Sequence, residues 1–244
     1  MLSKNKVKIL KSLQIKKFRR EHKQFIIEGG KSVIEFLKSD FHIELVAGTP
    51  EFLETCRKSP EYRADEWIEA TPEELSSLGT FQTNDAAIAV ARMKPEIKVS
   101  VDKNEWVIAL DEVRDPGNLG TIIRIADWYG VKKLICSVGT ADCYNPKVIS
   151  ASMGSFTRVE ISYTDLNAFL TTSPVPVYAA MLNGKDVHQM SGLKEGILLM
   201  GNESNGVSEA LLQYAEKITI PSYGGAESLN VAIATAIIMD NFKR

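Results

Sequence analysis

From Trp106 onward, short apolar runs alternate with helical patterns, and this alternation constrains the fold more than any other feature. "WVIALD", "KKLICSVG", "RVEIS", "PVYAAML", "GILLMG" and "KITIP" read as strands. "NLGTIIRIADWYG", "SEALLQYAE" and "LNVAIATAIIMDNF" read as helices, and Asn145-Pro146 suits the cap and first-turn positions of a shorter one. Apolar strands separated by helices imply a parallel sheet covered on both faces. In such a sheet, ligands belong beyond the carboxyl ends of the strands.

Upstream, "RMKPEIKVSVDKNEW" is polar, contains Pro95 and separates two differently patterned regions, so it reads as a linker. Before it, "FIIEGGKSVIEFLKS" reads as a strand, a glycine turn and a helix carrying Val33, Ile34 and Leu37 on one face. "IELVAG" and "AAIAVARM" read as strands, "PEFLETCRKS" as a helix, and "TPEELSSLG" as a helix capped by Thr71 ahead of Glu74. The expected organisation is therefore a small α/β domain at 1–97, a linker at 98–104 and a parallel α/β domain at 105–244.

Formal net charge is −2, so the whole molecule is no polycation. The stretch from Lys4 to Lys23 is different: it carries Lys4, Lys6, Lys8, Lys11, Lys16, Lys17, Arg19, Arg20 and Lys23 against the single acid Glu21. Such a run is either a footprint for a polyanion or a solvated helix face. Cys56, Cys136 and Cys143 are odd in number and form no CxxC pair, while His22, His42 and His188 are scattered. That pattern argues against a disulfide framework, a metal cluster or a histidine-centred triad, and it fits a reducing compartment. No apolar segment follows the N-terminal charges, and "VAIATAIIM" is far shorter than the roughly 20 residues needed to span a bilayer. The expectation is a soluble cytoplasmic protein without a membrane partner.

Three loops that follow expected strands are more polar than a connection requires. In "DPGNLGTIIR", Pro116-Gly117 makes a turn, Asn118 is a candidate cap, and Arg124 points away from the face shared by Ile122, Ile123 and Ala126. In "GNESNG", Glu203 sits in a turn after an apolar strand. In "IPSYGGAESLNVAIATA", Gly224-Gly225 loosens the chain and Ser228 or Asn230 can cap the last helix. Each also has an ordinary reading, as a surface arginine, a turn acid beside a helix dipole, and plain turn residues. The last helix is apolar or small nearly all round, which calls for cover on most sides. No GxGxxG turn and no GxxxxGK[ST] loop is present, so a dinucleotide oxidoreductase or a P-loop enzyme is not indicated.

Together the three loops resemble the three motifs of the SpoU (TrmH-type) RNA ribose 2′-O-methyltransferases of the SPOUT superfamily. The first matches at Asn118 and Arg124, the second at Gly201, Asn202, Glu203 and Gly206, and the third at Ile220, Pro221, Gly225, Glu227, Ser228, Leu229, Asn230 and Val231. The resemblance spans about residue 105 to the C-terminus. The first 95 residues look like the family's L30e-type RNA-binding domain, except that "FQTNDAAIAV" stands where many members have Pro-Gln-Gly.

The resemblance implies an α/β sheet whose C-terminal segment forms a deep trefoil knot, and a homodimer through that domain. It implies S-adenosylmethionine as methyl donor, lined by Gly201, Ile220 and Leu229, with no metal. Arg124, Asn118, Glu203, Ser228 and Asn230 become the candidate catalytic group. Structured RNA, ribosomal or transfer RNA with ribosomal RNA preferred, becomes the partner, with Lys16, Lys17, Arg19 and Arg20 as contacts. A guanidinium is always protonated, so Arg124 is expected to grip a phosphate and stabilise charge rather than accept a proton, with Glu203 holding Arg124 or a nearby amide. The competing readings are a non-catalytic RNA-binding protein that retains the fold and an α/β enzyme of another class.

Overall fold

A computed structural model of the chain describes every residue except Met1, Phe81 and Val99. Phe81 in "FQTN" and Val99 in the expected linker therefore lie outside the described residues. Contacts divide the chain into two compact units, Met1–Pro95 with Tyr144–Thr157, and Glu96–Cys143 with Arg158–Arg244.

The first unit contains α1 (Lys4–Ser12), α2 (Lys16–His22), β1 (Gln24–Glu28), α3 (Gly30–Leu37), β2 (Ile43–Gly48), α4 (Pro50–Arg57), β3 (Glu66–Glu69), α5 (Pro72–Leu78) and β4 (Ala87–Arg92). Its sheet runs β1-β4-β2-β3, with β4 antiparallel to both neighbours and β3 parallel to β2. The capping box read at α5 is present: Thr71 Oγ1 accepts the Glu74 N–H at 3.2 Å and Glu74 Oε2 accepts the Thr71 N–H at 2.9 Å. Residues 144–157 belong to this unit because Tyr144 and Phe156 insert their rings among Phe25, Phe36 and Phe41, with centroids 4.8–6.1 Å apart in the Phe25 pairs. Buried aromatic rings dominate core energetics, which ties the segment to the first sheet.

Arg19 departs from its expected role. Its side chain is 2% exposed, and Nη1 donates to the carbonyls of Leu13 and Gln14, each at 2.9 Å. The guanidinium satisfies acceptors left over beyond the end of α1 and cannot reach a phosphate outside. Lys16, Lys17 and Arg20 are exposed. Arg19→Ala should therefore lower stability by about 2 kcal/mol or more, since a buried acceptor left unmade costs about 1–3 kcal/mol. A shift in the denaturant midpoint checks this.

The second unit contains β5 (Trp106–Leu110), α6 (Pro116–Trp128), β6 (Lys133–Ser137), β7 (Glu160–Thr164), α8 (Leu166–Thr171), β8 (Val177–Asp186), β9 (Gly196–Met200), α9 (Glu209–Leu212), β10 (Glu216–Thr219) and α10 (Val231–Lys243); α7 (Pro146–Ala151) lies in the first unit. The order is β10-β8-β9-β5-β6-β7 and every pair is parallel. β5 and β9 are buried at all five positions. Their alternate residues Val107, Ala109, Ile197 and Leu199 pack with Leu166, Leu170 and Leu211 of α8 and α9. The opposite parity faces the other side, where Trp106 stacks on Phe242 of α10 with centroids 4.8 Å apart. This is the two-sided cover the apolar runs predicted.

α10 differs from expectation. Val231, Thr235, Ile238, Met239 and Phe242 are buried along one face, but Ile233 is 54% exposed. Within a single chain the helix is covered on one side, not nearly all round. Among the described residues no helix is long and apolar enough to cross a membrane.

Candidate functional site

Because all six strands of the second sheet are parallel, their carboxyl ends share one edge. β5 and β9 are neighbours, so the loops after Leu110 and Met200 meet there, and the loop after β10 joins them through its last residue.

The link is a chain of side-chain hydrogen bonds. Asn230 Nδ2 donates to Asn118 Oδ1 at 2.9 Å, and Asn118 Nδ2 donates to Glu203 Oε1 at 2.8 Å. Residues far apart in sequence, one from each loop, thus form a single network. Asn230 also caps α10, its Oδ1 accepting the N–H groups of Ala232 and Ile233. The cap of α6 is Asp115, whose Oδ1 accepts the Asn118 N–H at 2.9 Å; Asn118 lies inside the first turn with its amide turned toward Glu203. The expected cap and the actual cap differ because Pro116 takes the first helical position, where its missing N–H costs nothing.

The loop after β9 is a closed turn. The N–H of Asn202 donates to Gly206 C=O at 3.0 Å, and the Gly206 N–H returns to Asn202 C=O at 2.8 Å. Gly206 supplies a φ of 68°. Glycine at 201 is required by the chain itself: a Cβ there would overlap the backbone of Gly206 and Val207. Asn202 ties this turn to β5, its Nδ2 donating to the Glu112 carbonyl at 2.8 Å while its Oδ1 accepts from Ser204 and Asn205.

Asp111 and Glu112 carry no signal in the sequence, and Asn202 carries one only through its motif. Asp111 is buried and accepts the Ser208 N–H at 2.7 Å, fixing the approach to α9. Glu112 has φ 56°, a left-handed conformation worth about 1–3 kcal/mol of strain, held by Ser137 on its N–H and Asn202 on its carbonyl. No sequence signal marks that conformation in a glutamate.

Arg124 is not drawn into the network. Six residues beyond Asn118, it lies about 240° around α6 and about 9 Å along it. It is exposed and makes no ion pair among the described residues; Glu203 is held by Asn118 instead. Ser228 and Leu229 are exposed in the loop before α10, and Ile220 is half-buried just after β10. Among the described residues, the backbone N–H groups from Ser222 to Leu229 donate to no protein acceptor, leaving a run of donors at the edge of the network.

The chain has counterparts among known proteins. Residues 105–240 match the SpoU rRNA Methylase family, and residues 4–89 match the MRM3-like substrate binding domain. The chain is 34% identical to the 23S rRNA (guanosine(2553)-2′-O)-methyltransferase of Bacillus subtilis, over 96% of this chain and 94% of that one. It is 31% identical to the 23S rRNA (uridine(2479)-2′-O)-methyltransferase of Streptomyces viridochromogenes, over 85% and 75%. The crystal structure of an AdoMet-bound rRNA methyltransferase from Sinorhizobium meliloti superimposes with a TM-score of 0.88 at 30% identity, covering 100% of this chain and 95% of that one. With three strand-end loops joined at one sheet edge and a family match over residues 105–240, this chain belongs to the SpoU rRNA methylase family.

Proposed function

We propose that the chain transfers a methyl group from S-adenosylmethionine to a ribose 2′-hydroxyl in structured RNA, ribosomal RNA in preference to transfer RNA. The observation that carries this reading is the Asn230–Asn118–Glu203 network, which assembles all three loops at one edge. The two named relatives act on a guanosine and a uridine, so the shared element is the ribose and not the base. The donor bound in the Sinorhizobium structure supports S-adenosylmethionine here.

The residues fit such a donor. The exposed loop 222–229, which follows Ile220 and contains Leu229, offers backbone N–H groups with no protein acceptor among the described residues, and Gly201 lies two residues before Glu203 of the network. When bound, S-adenosylmethionine supplies a methyl group on a positively charged sulfonium, an electrophile that needs no metal. The chain's own task is then the nucleophile. Arg124 grips the phosphate beside the target ribose and stabilises the alkoxide charge as the hydroxyl proton passes to solvent water. Glu203 and Asn118 keep the first and second loops in register, Asn230 does so for the third, and Ser228 orients the ribose.

Residues 1–97 serve as the RNA-binding part and 105–244 as the methyltransferase part, with the C-terminal segment threaded as a trefoil knot. The protein works in the cytoplasm as a homodimer. Trp128 on α6 is 83% exposed and Ile233 on α10 is 54% exposed, apolar surface that a second copy would cover. Arg124, one turn before Trp128, faces the same side, so its neighbours in the dimer come from the partner subunit.

Radiolabelled methyl transfer onto purified ribosomal and transfer RNA tests the function: label in ribosomal RNA supports it, and label in neither contradicts it. A second test probes the network. Asn118→Asp sets a carboxylate against Glu203, and two touching carboxylates raise the pKa of one of them. Its activity should be low at neutral pH and recover as pH falls, a shift in the pH–rate profile absent from the wild type.

A further inference from the structure

α2 carries cations that the rest of the first unit leaves unmatched. Among the cations of this unit, Lys6 is paired with Glu66, Arg92 with Glu44 and Lys94 with Asp40. Lys16, Lys17 and Arg20 form no ion pair among the described residues, and Glu21 is the one acid between Ile15 and Lys23. A positive face left without acids is complementary to a polyanion.

The same helix carries rings. Phe18 and His22, one turn apart, lie with centroids 6.5 Å apart and planes inclined by 17°. Phe18 is half-buried, His22 is exposed, and the Lys17 ammonium stands 5.9 Å from the Phe18 centroid. Arg19, turned inward onto the Leu13 and Gln14 carbonyls, fixes the helix to the corner after α1. The outward side of the helix therefore carries both rings and cations.

We propose that α2 docks an unpaired stretch of RNA, with a base stacked on the Phe18–His22 rings and phosphates held by Lys16, Lys17 and Arg20. This rests on RNA being the substrate and specifies how it is recognised. A duplex keeps its bases stacked on each other and is read by groove shape and backbone, so an exposed ring face is of use only to a base that has left the stack. Cations alone would serve either form; the rings favour the unpaired one.

The test is fluorescence anisotropy of the full-length protein, without methyl donor, against a labelled RNA single strand of about 12 nucleotides and the corresponding duplex. The single strand should bind about tenfold more tightly than the duplex. His22→Ala and Phe18→Leu should each weaken single-strand binding about tenfold and leave duplex binding unchanged. Lys17→Ala with Arg20→Ala should reduce the slope of log K against log salt by about 1.4, two phosphates at about 0.7 each. Equal binding of both forms, or unchanged single-strand binding in His22→Ala, would overturn the proposal. His22 is exposed, so that variant is expected to fold even if Phe18→Leu does not. Binding is read without the donor and methyl transfer by its product, so either reading can fail alone.

Discussion

Arg124→Ala should reduce methyl transfer by at least about 100-fold while leaving S-adenosylmethionine binding nearly unchanged. Arg124 is exposed on α6 and makes no intrachain ion pair among the described residues. Its removal strands no partner, and its effect on stability should stay within about 0.5 kcal/mol. The loss must therefore appear in RNA binding or in the chemical step, not in folding or donor binding. Single-turnover transfer and calorimetric donor binding distinguish that loss from one of donor binding. Arg124→Lys retains the charge but not the planar fork, so it should recover only part of the rate. Full activity in Arg124→Ala would remove this residue from the mechanism.

Gly201→Ala should be costly for a different reason. The new Cβ would overlap the backbone of Gly206 and Val207, and that backbone is closed by two hydrogen bonds between Asn202 and Gly206. Relief requires the turn to open. Opening it moves Glu203 away from Asn118 and pulls Asn202 off the Glu112 carbonyl. A stability loss of about 3 kcal/mol, or roughly 6–12 °C in Tm, is expected, together with weakened donor binding. Gly225→Ala provides the contrast, because a Cβ there meets nothing within 4 Å. Its Tm should match the wild type. A Gly201→Ala protein as stable as Gly225→Ala would show that the turn is not locked as described.

The alternation of apolar strands and helices led to the parallel sheet, and loops after strands then led to one edge. The period-two and helical patterns are local, so they are legible in a single sequence. What was not legible depended on distant partners. Arg19 stood in a run of similar cations, and only the carbonyls of Leu13 and Gln14 distinguish it from Arg20. Tyr144 and Phe156 follow a strand of the second unit in sequence, yet their rings pack with Phe25 in the first. Glu203 is expected to hold Arg124 or a nearby amide; six positions on a helix turn Arg124 away from Asn118, and the side-chain amide of Asn118 is the donor. The left-handed backbone of Glu112 has no signal in its side chain; it follows from the hydrogen bonds of Ser137 and Asn202 on either side.

The central claim is methyl transfer to a ribose of ribosomal RNA. It is tested most directly by mapping methylated nucleotides in ribosomal RNA after incubation with the purified protein and S-adenosylmethionine, in parallel with Arg124→Ala. The account predicts a new alkali-resistant 2′-O-methyl ribose with the wild type and none with the variant. Methyl groups found on a base, or no methylation of ribosomal RNA by the folded wild type, would contradict it.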